Sequence, residues 1–309
     1  MAEPVAVPTD ASAPRRCGLV AVLGAPNAGK STLVNALVGA KVSIVTPKVQ
    51  TTRSRVIGIA IEGATQLVLI DTPGIFAPKR RLDRAMVAAA WQATGDADAI
   101  VLLVDAERGL DEDTRRIVDG LKDAKREAIL VLNKIDAVKK PTLLTLAQRM
   151  SEAGSFGTIL MISALNGDGV GDLRAEVVAR MPEGPWLYPE DQLTDLPMRL
   201  LAAELVREQV FIQLRQELPY ATAVEVDAWE EFQDGSAKVS ATVFVRRDSQ
   251  RAIVLGKGGA RIKEIGTAAR IQLEDLLGRR IHLALHVKVL EDWPERPAFY
   301  SPFGLDFDA

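Results

Sequence analysis

From Arg16 to about Arg180 the chain alternates continuous apolar runs with amphipathic stretches. The runs Leu19–Leu23, Leu67–Ile70, Ala99–Val104, Ala128–Leu132 and Thr158–Ile162 have strand length. Between them, Lys30–Val38, Leu82–Ala93, Glu112–Lys122, Thr142–Ala153 and Gly171–Arg180 read as helices. A strand that is apolar throughout is buried on both faces. The pattern therefore predicts a mostly parallel sheet with helices on both sides, an α/β domain that binds ligands at the carboxyl ends of its strands.

The texture changes after Met181. Pro182, Pro185, Pro189 and Pro197 stop helices and favour an extended linker. A helix over Met198–Leu218 is followed by β-like runs at Thr222–Trp229 and Ala237–Val245. A helix, a glycine turn and a second helix fill Ser249–Leu277, and Ile281–Leu290 is a last strand, which together predict a smaller α+β domain. Pro294, Pro297 and Pro302 argue against a terminal helix in 291–309, and the Ala- and Pro-rich start is expected to be a disordered leader. The expected division is a leader at 1–15, a first domain at 16–181, a linker at 182–197, a second domain at 198–290 and a tail at 291–309.

The 309 residues are 48% hydrophobic and 26% charged, enough for one large or two ordinary cores. A net charge of −3 excludes a polycationic, tail-driven nucleic-acid binder but not a local basic face. A single cysteine, Cys17, excludes an intramolecular disulfide. No apolar run approaches the roughly 18 residues of a membrane helix. The expected compartment is a reducing cytoplasm.

Leu19–Leu23 runs directly into Gly24-Ala25-Pro26-Asn27-Ala28-Gly29-Lys30-Ser31-Thr32. This is G-x-x-x-x-G-K-[ST] between a strand and a helix. Its glycines let backbone N–H groups face phosphates at a helix N-terminus, Lys30 reaches the β- and γ-phosphates, and the Ser31 hydroxyl suits Mg2+. Asp71-Thr72-Pro73-Gly74 follows the second apolar run. It sets a carboxylate near the metal shell and a glycine amide near the γ-phosphate. Asn133-Lys134-Ile135-Asp136 ends the fourth run. One carboxylate, Asp136, accepts both donors of guanine, a pair adenine lacks, and the Lys134 stem lies along the purine. Ser163-Ala164-Leu165 follows the fifth run, with backbone amides expected at the base carbonyl.

These motifs, with Gln50-Thr51-Thr52-Arg53-Ser54, resemble the translation-factor-like GTPases, and within them the branch of Era, EngA and TrmE. The linker and helix over Met181–Ala223 are similar to those of the Era family. The resemblance implies a P-loop GTPase domain followed by a type II KH domain. It implies GTP and GDP as ligands, hydrolysis of GTP, and Gln50–Ser54 as the first switch. Thr52 is then a ligand of Mg2+ and of the γ-phosphate, with Thr51 the alternative. It further implies binding of small-subunit (16S) ribosomal RNA near its 3′ end and a role in small (30S) subunit assembly. A cytoplasmic monomer is implied, with peripheral contact at the inner face of the cell membrane left open.

The residue after Gly74 is Ile75, where many signalling GTPases place a glutamine that orients the attacking water. Isoleucine cannot do so, and no replacement base stands out. Slow intrinsic turnover is expected, with Lys30, Thr52 and magnesium electrostatics supplying the catalysis. Asn27 matches a residue that holds K+ in part of this branch; loop geometry alone also explains an Asn there.

Ile253–Ile262 contains Gly256-Lys257-Gly258-Gly259, a G-x-x-G loop followed by Arg261 and Lys263, and resembles the KH loop that clamps single-stranded RNA. Arg246–Lys288 holds ten basic and four acidic residues, a local +6. A helix–turn–helix with glycine caps is the plainer reading of the loop. His282 and His286 share a strand face without an acidic or thiol neighbour and read as surface or RNA-facing residues. Lys79-Arg80-Arg81 reads as a solvated charge run. Two other functions stay open: a metabolic P-loop NTPase, and a GTPase whose second domain binds protein.

Overall fold

The apolar runs of the first half become strands of one sheet in the computed structural model, which describes residues 14–48, 51–53 and 55–309. The strands are β1 (Arg16–Leu23), β2 (Val56–Glu62), β3 (Thr65–Asp71), β4 (Ala99–Asp105), β5 (Ala128–Asn133) and β6 (Phe156–Met161). The helices are α1 (Lys30–Val38), α2 (Arg81–Gly95), α3 (Glu112–Asp123), α4 (Lys140–Ala153) and α5 (Val170–Ala179). The order is β2-β3-β1-β4-β5-β6, parallel except for β2.

Alternate residues of each strand feed two cores. In β4, Val101 and Leu103 join Leu33, Leu37, Leu173 and Val177 of α1 and α5. Ile100, Leu102 and Val104 join Ile117 and Leu121 of α3 and Leu146 and Met150 of α4. Burial on both faces is why these strands carry no polar alternation.

The edge strand β2 was not among the expected elements. It pairs antiparallel with β3 across Gly63, whose φ of 56° lies in the left-handed region that glycine adopts at little cost. Gly58 breaks its apolar run because α1 lies against it: a Cβ there would stand 2.7 Å from Val38. Cys17 lies within β1 rather than before it; it is buried, and burial pushes its thiol pKa up.

The proline-rich stretch is not a free connector. Its residues up to Asp195 belong to the unit built on this sheet. The buried Gln66 accepts hydrogen bonds from the Leu187 and Tyr188 amides at 2.9 and 3.1 Å and donates to the Tyr188 carbonyl at 2.8 Å. Ile59 N–H donates to the Leu193 carbonyl at 2.8 Å, so the segment covers the β2 edge.

A second unit comprises Leu196–Ala309 with the short segments Ile44–Thr51 and Arg80–Ala85. It holds α6 (Met198–Gln213), β7 (Ala223–Glu231), β8 (Ala237–Val245), α7 (Asp248–Leu255), α8 (Ala260–Leu277) and β9 (Ile281–Val289). The sheet order is β7-β8-β9, antiparallel then parallel. Val206 and Val210 of α6 and Ile265 and Ala269 of α8 pack on Ala241, Val243 and Val287.

Helix α6 stops five residues short of the expected Leu218. Leu214 is extended (φ −92°, ψ 158°), Gln216 is left-handed (φ 55°), and Pro219 cannot continue a helix. The tail, as its prolines predict, forms no α-helix. It makes three single 3₁₀ turns that bury Trp293, Phe299, Tyr300 and Leu305. Arg81 does not belong to a solvated run: it stacks on Phe307 at 4.4 Å and pairs with Glu295 at 3.2 Å.

Candidate functional site

The carboxyl ends of β1, β3, β4 and β5 stand side by side, which gathers four motifs from distant parts of the chain. Gly24 leaves β1 so close to β4 that a Cβ would lie 2.4 Å from the Leu103 carbonyl oxygen. The loop then turns through Asn27 (φ 65°) and Gly29 (φ 100°) into α1. Ala25 and Ala28 are buried and Thr32 is half-buried in the first turn of α1. Lys30 is buried too, and its ammonium donates to the Gly24 and Ala25 carbonyls at 3.0 and 3.1 Å. Burial lowers its pKa to about 8, against an opposing pull from Asp71.

Beside it, three side chains bring oxygen atoms together. Ser31 Oγ lies 2.8 Å from Thr52 Oγ1 and donates to Asp71 Oδ2 at 2.7 Å; Thr52 Oγ1 is 3.4 Å from the same carboxylate oxygen. Burial raises the Asp71 pKa, opposed by hydrogen bonds from Ser43 and Ser31. Asp71 Oδ1 is buried with no hydrogen-bond partner among the described residues. Two hydroxyls and a carboxylate with an orphaned oxygen form the hard donor set that Mg2+ prefers, so the residues fit that ion. Ser43, absent from the motif reading, donates to Asp71 at 2.6 Å. Asn35 holds it there, accepting the Val42 and Ser43 amides at 2.9 Å each. No motif marks that loop, so no sequence signal pointed to Ser43.

Thr72 donates to the Val22 carbonyl at 2.7 Å, a structural bond between β3 and β1. Gly74 sits against the phosphate loop, where a Cβ would be 2.9 Å from Pro26. The Ile75 amide donates to the Gly24 carbonyl at 3.2 Å, and the Ile75 side chain is wholly buried in the core with Ile70 and Leu102. Its position is thus a packing position. Of the first switch, Thr51, Thr52 and Arg53 are described, the last two buried; Gln50 and Ser54 lie outside the described residues.

Asn133 ties three motifs together. Its Nδ2 donates to the Ala28 carbonyl at 2.8 Å and its Oδ1 accepts the Ala164 amide at 2.9 Å. Lys134, left-handed at φ 65°, pairs with Asp105 at 2.6 Å. Asp105 was missed, although it is a carboxylate at a strand's end, in register with Asn133. Asp136 is exposed, so the protein alone does not desolvate its carboxylate. One expectation changes here. The Ser163 and Ala164 amides already serve the Asp168 carbonyl and Asn133, leaving Leu165, whose side chain is exposed, as the outward member of that loop.

In the second unit, α7 ends at Gly256 (φ 71°), where a Cβ would lie 2.9 Å from the Arg261 amide. Gly258 (φ 60°) and Gly259 (φ 80°) face open space instead. Gly256 is therefore required by packing, while the other two glycines leave the outer side of the loop approachable. Lys257, Arg261 and Lys263 are exposed, Arg261 pairing with Glu264 at 3.0 Å. Next to the loop a cavity of about 220 Å³ opens between α8 and β9, lined by Lys263, Gly266, Thr267 and Arg270 and floored by Leu283 and Leu285. Apart from Lys263, none of these residues was among the expected site residues. Gly266 inside an amphipathic helix was the available signal: it brings α8 within 3.3 Å of Leu285, measured from its Cβ position. His282 and His286 are exposed, and no metal-holding cluster of His, Cys, Asp or Glu occurs among the described residues.

Residues 19–134 match the family described as 50S ribosome-binding GTPase, and residues 217–294 match the KH domain family. The chain is 54% identical to GTPase Era of Caulobacter vibrioides, over 97% of this chain and 99% of that one. It is 54% identical to GTPase Era of Afipia carboxidovorans over 97% and 98%. Among solved structures it is similar to Era in complex with MgGDPNP and nucleotides 1506–1542 of 16S ribosomal RNA (TM-score 0.89, 39% identity, 94% of this chain and 99% of that one). A variant of Aquifex aeolicus Era bound to GDP·AlF4⁻ gives the same score, identity and coverage.

Proposed function

This chain belongs to the Era family of GTPases, and from that premise we propose how its residues divide the work. Gly24–Thr32 and Asp71–Gly74 hold the phosphates, Lys134 and Asp136 hold guanine, and Asn133 with the Ser163–Leu165 loop frames the base pocket. Gly256–Gly259, with Arg261 and Lys263, holds single-stranded small-subunit ribosomal RNA near its 3′ end, and the protein acts in small-subunit assembly. The boundaries 16–181 and 198–290 belong to the same proposal as the cores of the two domains, with the stretch up to Asp195 packed on the first and the tail 291–309 part of the second. So do a cytoplasmic monomeric state and peripheral membrane contact, through family resemblance alone.

The convergence of Ser31, Thr52 and Asp71 on one point carries this reading. Ser31 and Thr52 would hold Mg2+ directly and Asp71 through water. When bound, the ion would supply positive charge against the β- and γ-phosphates. Lys30 adds a buried cation at the same place, and the ordered Thr52 ties the first switch to it. Hydrolysis that removes the γ-phosphate removes a partner of Thr52 and releases that segment. With Ile75 in the core, no side chain after Gly74 orients water, so basal turnover is slow. K+ at Asn27 is proposed to offset phosphate charge.

Sequencing of RNA crosslinked to the GTP-loaded protein tests the RNA half. Enrichment of the 3′ end of small-subunit RNA is expected, and crosslinks scattered over unrelated RNA would sink it. A nucleotide panel tests the other half: GTP and GDP should bind, and equal binding of ATP would overturn the base assignment.

A further inference from the structure

Arg108 lies in the turn after β4, outside every nucleotide motif. Its Nη1 donates to the carbonyl of Pro26, in the middle of the phosphate loop, at 3.0 Å. Its Nη2 is 2.5 Å from an Asp111 carboxylate oxygen and 3.7 Å from Asp113. Asp111 is itself anchored, capping α3 through the Thr114 amide at 2.8 Å. The guanidinium thus spans from a helix N-terminus to the phosphate loop, held at one end and donating at the other.

The atom it grips is decisive. The Pro26 carbonyl and the Asn27 N–H are opposite edges of one peptide plane, and in a trans peptide they point opposite ways. No described peptide bond is cis. A carbonyl pinned toward Arg108 turns the Asn27 N–H to the side of the loop away from the guanidinium. This plane needs holding. Asn27 has φ 65°, a region that costs a non-glycine residue about 1 kcal/mol or more, and a flip of the peptide would present a carbonyl to the phosphates instead.

We propose that Arg108 is a positioning residue for GTP hydrolysis, fixing the Pro26–Asn27 peptide so that its N–H is aimed in advance at the phosphate chain. A donor fixed before the reaction contributes most where charge grows in the transition state. The inference rests on the placement of nucleotide proposed above.

The test compares Arg108→Ala, Arg108→Met and Arg108→Lys with the wild type. It measures GDP and GTP affinity, single-turnover hydrolysis and affinity for GDP with aluminium fluoride, a mimic of the transition state. Ala and Met should each slow hydrolysis about tenfold or more and weaken the aluminium fluoride complex by a similar factor. GDP affinity should stay within about threefold. Lys, which still donates to the carbonyl but cannot also fork to Asp111, should recover part of the loss. Met keeps the alkyl stem, so it stands in if Ala unfolds. Wild-type turnover in Ala or Met overturns the proposal. So does an equal loss of GDP and GTP binding with the hydrolytic rate unchanged, because that marks a purely structural strap. A wild type that binds no guanine nucleotide sinks the placement of nucleotide itself, and the role of Arg108 with it.

Discussion

At the scale of single residues, base choice turns on Asp136. Its carboxylate is exposed, so a bound base must supply the desolvation that makes an unpaired donor or acceptor costly. Asp136→Asn should therefore lower GTP affinity by at least about tenfold and favour xanthosine nucleotides, whose ring edge carries the complementary group; competition binding with GTP, XTP and ATP measures it. Asn27 supports a second expectation. Turnover should rise when K+ replaces Na+, and Asn27→Ala should abolish the difference while GDP still binds. Equal wild-type rates in the two salts would end the potassium proposal. Ile75 has a packing role. Its side chain is wholly buried in the cluster of Ile70 and Leu102, and its amide holds the Gly24 carbonyl at 3.2 Å.

At the scale of elements, α6 carries an unusual load. Glu204 and Arg207 are both buried and joined by Nε to Oε1 at 2.7 Å, and Arg207 Nη2 also donates to the Thr51 carbonyl at 2.6 Å. The Lys48 ammonium donates to the Phe211 and Leu214 carbonyls at the C-terminal end of the same helix, where the helix dipole favours a cation. Removing one member of a buried ion pair leaves the other uncompensated. Glu204→Ala should then cost about 3–5 kcal/mol, read by urea unfolding of the second unit, and Glu204→Gln less, because it still accepts one hydrogen bond from Arg207. A loss under about 1 kcal/mol would show that the pair contributes little.

At the scale of the whole molecule, two units carry two chemistries, so each should be separable by mutation. Gly258 has open space where a side chain would stand, and aspartate tolerates left-handed backbone better than most residues. Gly258→Asp should therefore fold, lose RNA affinity by at least about tenfold, and leave GTP affinity within about twofold. Lys257→Ala should lose less and lower the slope of log affinity against log salt by about one, as expected for one phosphate contact. A folded Gly258→Asp that binds ribosomal RNA as tightly as the wild type would reduce the glycine loop to a helix cap. The molecule's charge of −3 hides the +6 over Arg246–Lys288, so salt dependence belongs to the second unit and not to the chain.

The sequence alone determined what local chemistry dictates. Strands buried on both faces are apolar without interruption, so Ala99–Val104 and Ala128–Leu132 declared a parallel sheet, and G-x-x-x-x-G-K-S between a strand and a helix declared a phosphate site. Features set by contacts between distant segments were not legible. The β2 strand exists because β3 offers it an edge, and its Gly58 only makes sense once α1 lies against it. Ser43 reaches Asp71 because Asn35 holds its loop. Asn133 proved to be a staple between the phosphate loop and Ala164, a role that no spacing encodes. Arg108 looks like an ordinary turn residue until β4 and β1 are neighbours; its grip on Pro26 spans 82 positions of chain. Period and motif are written along the chain, whereas a hydrogen bond between two loops depends on where the sheet has placed their ends.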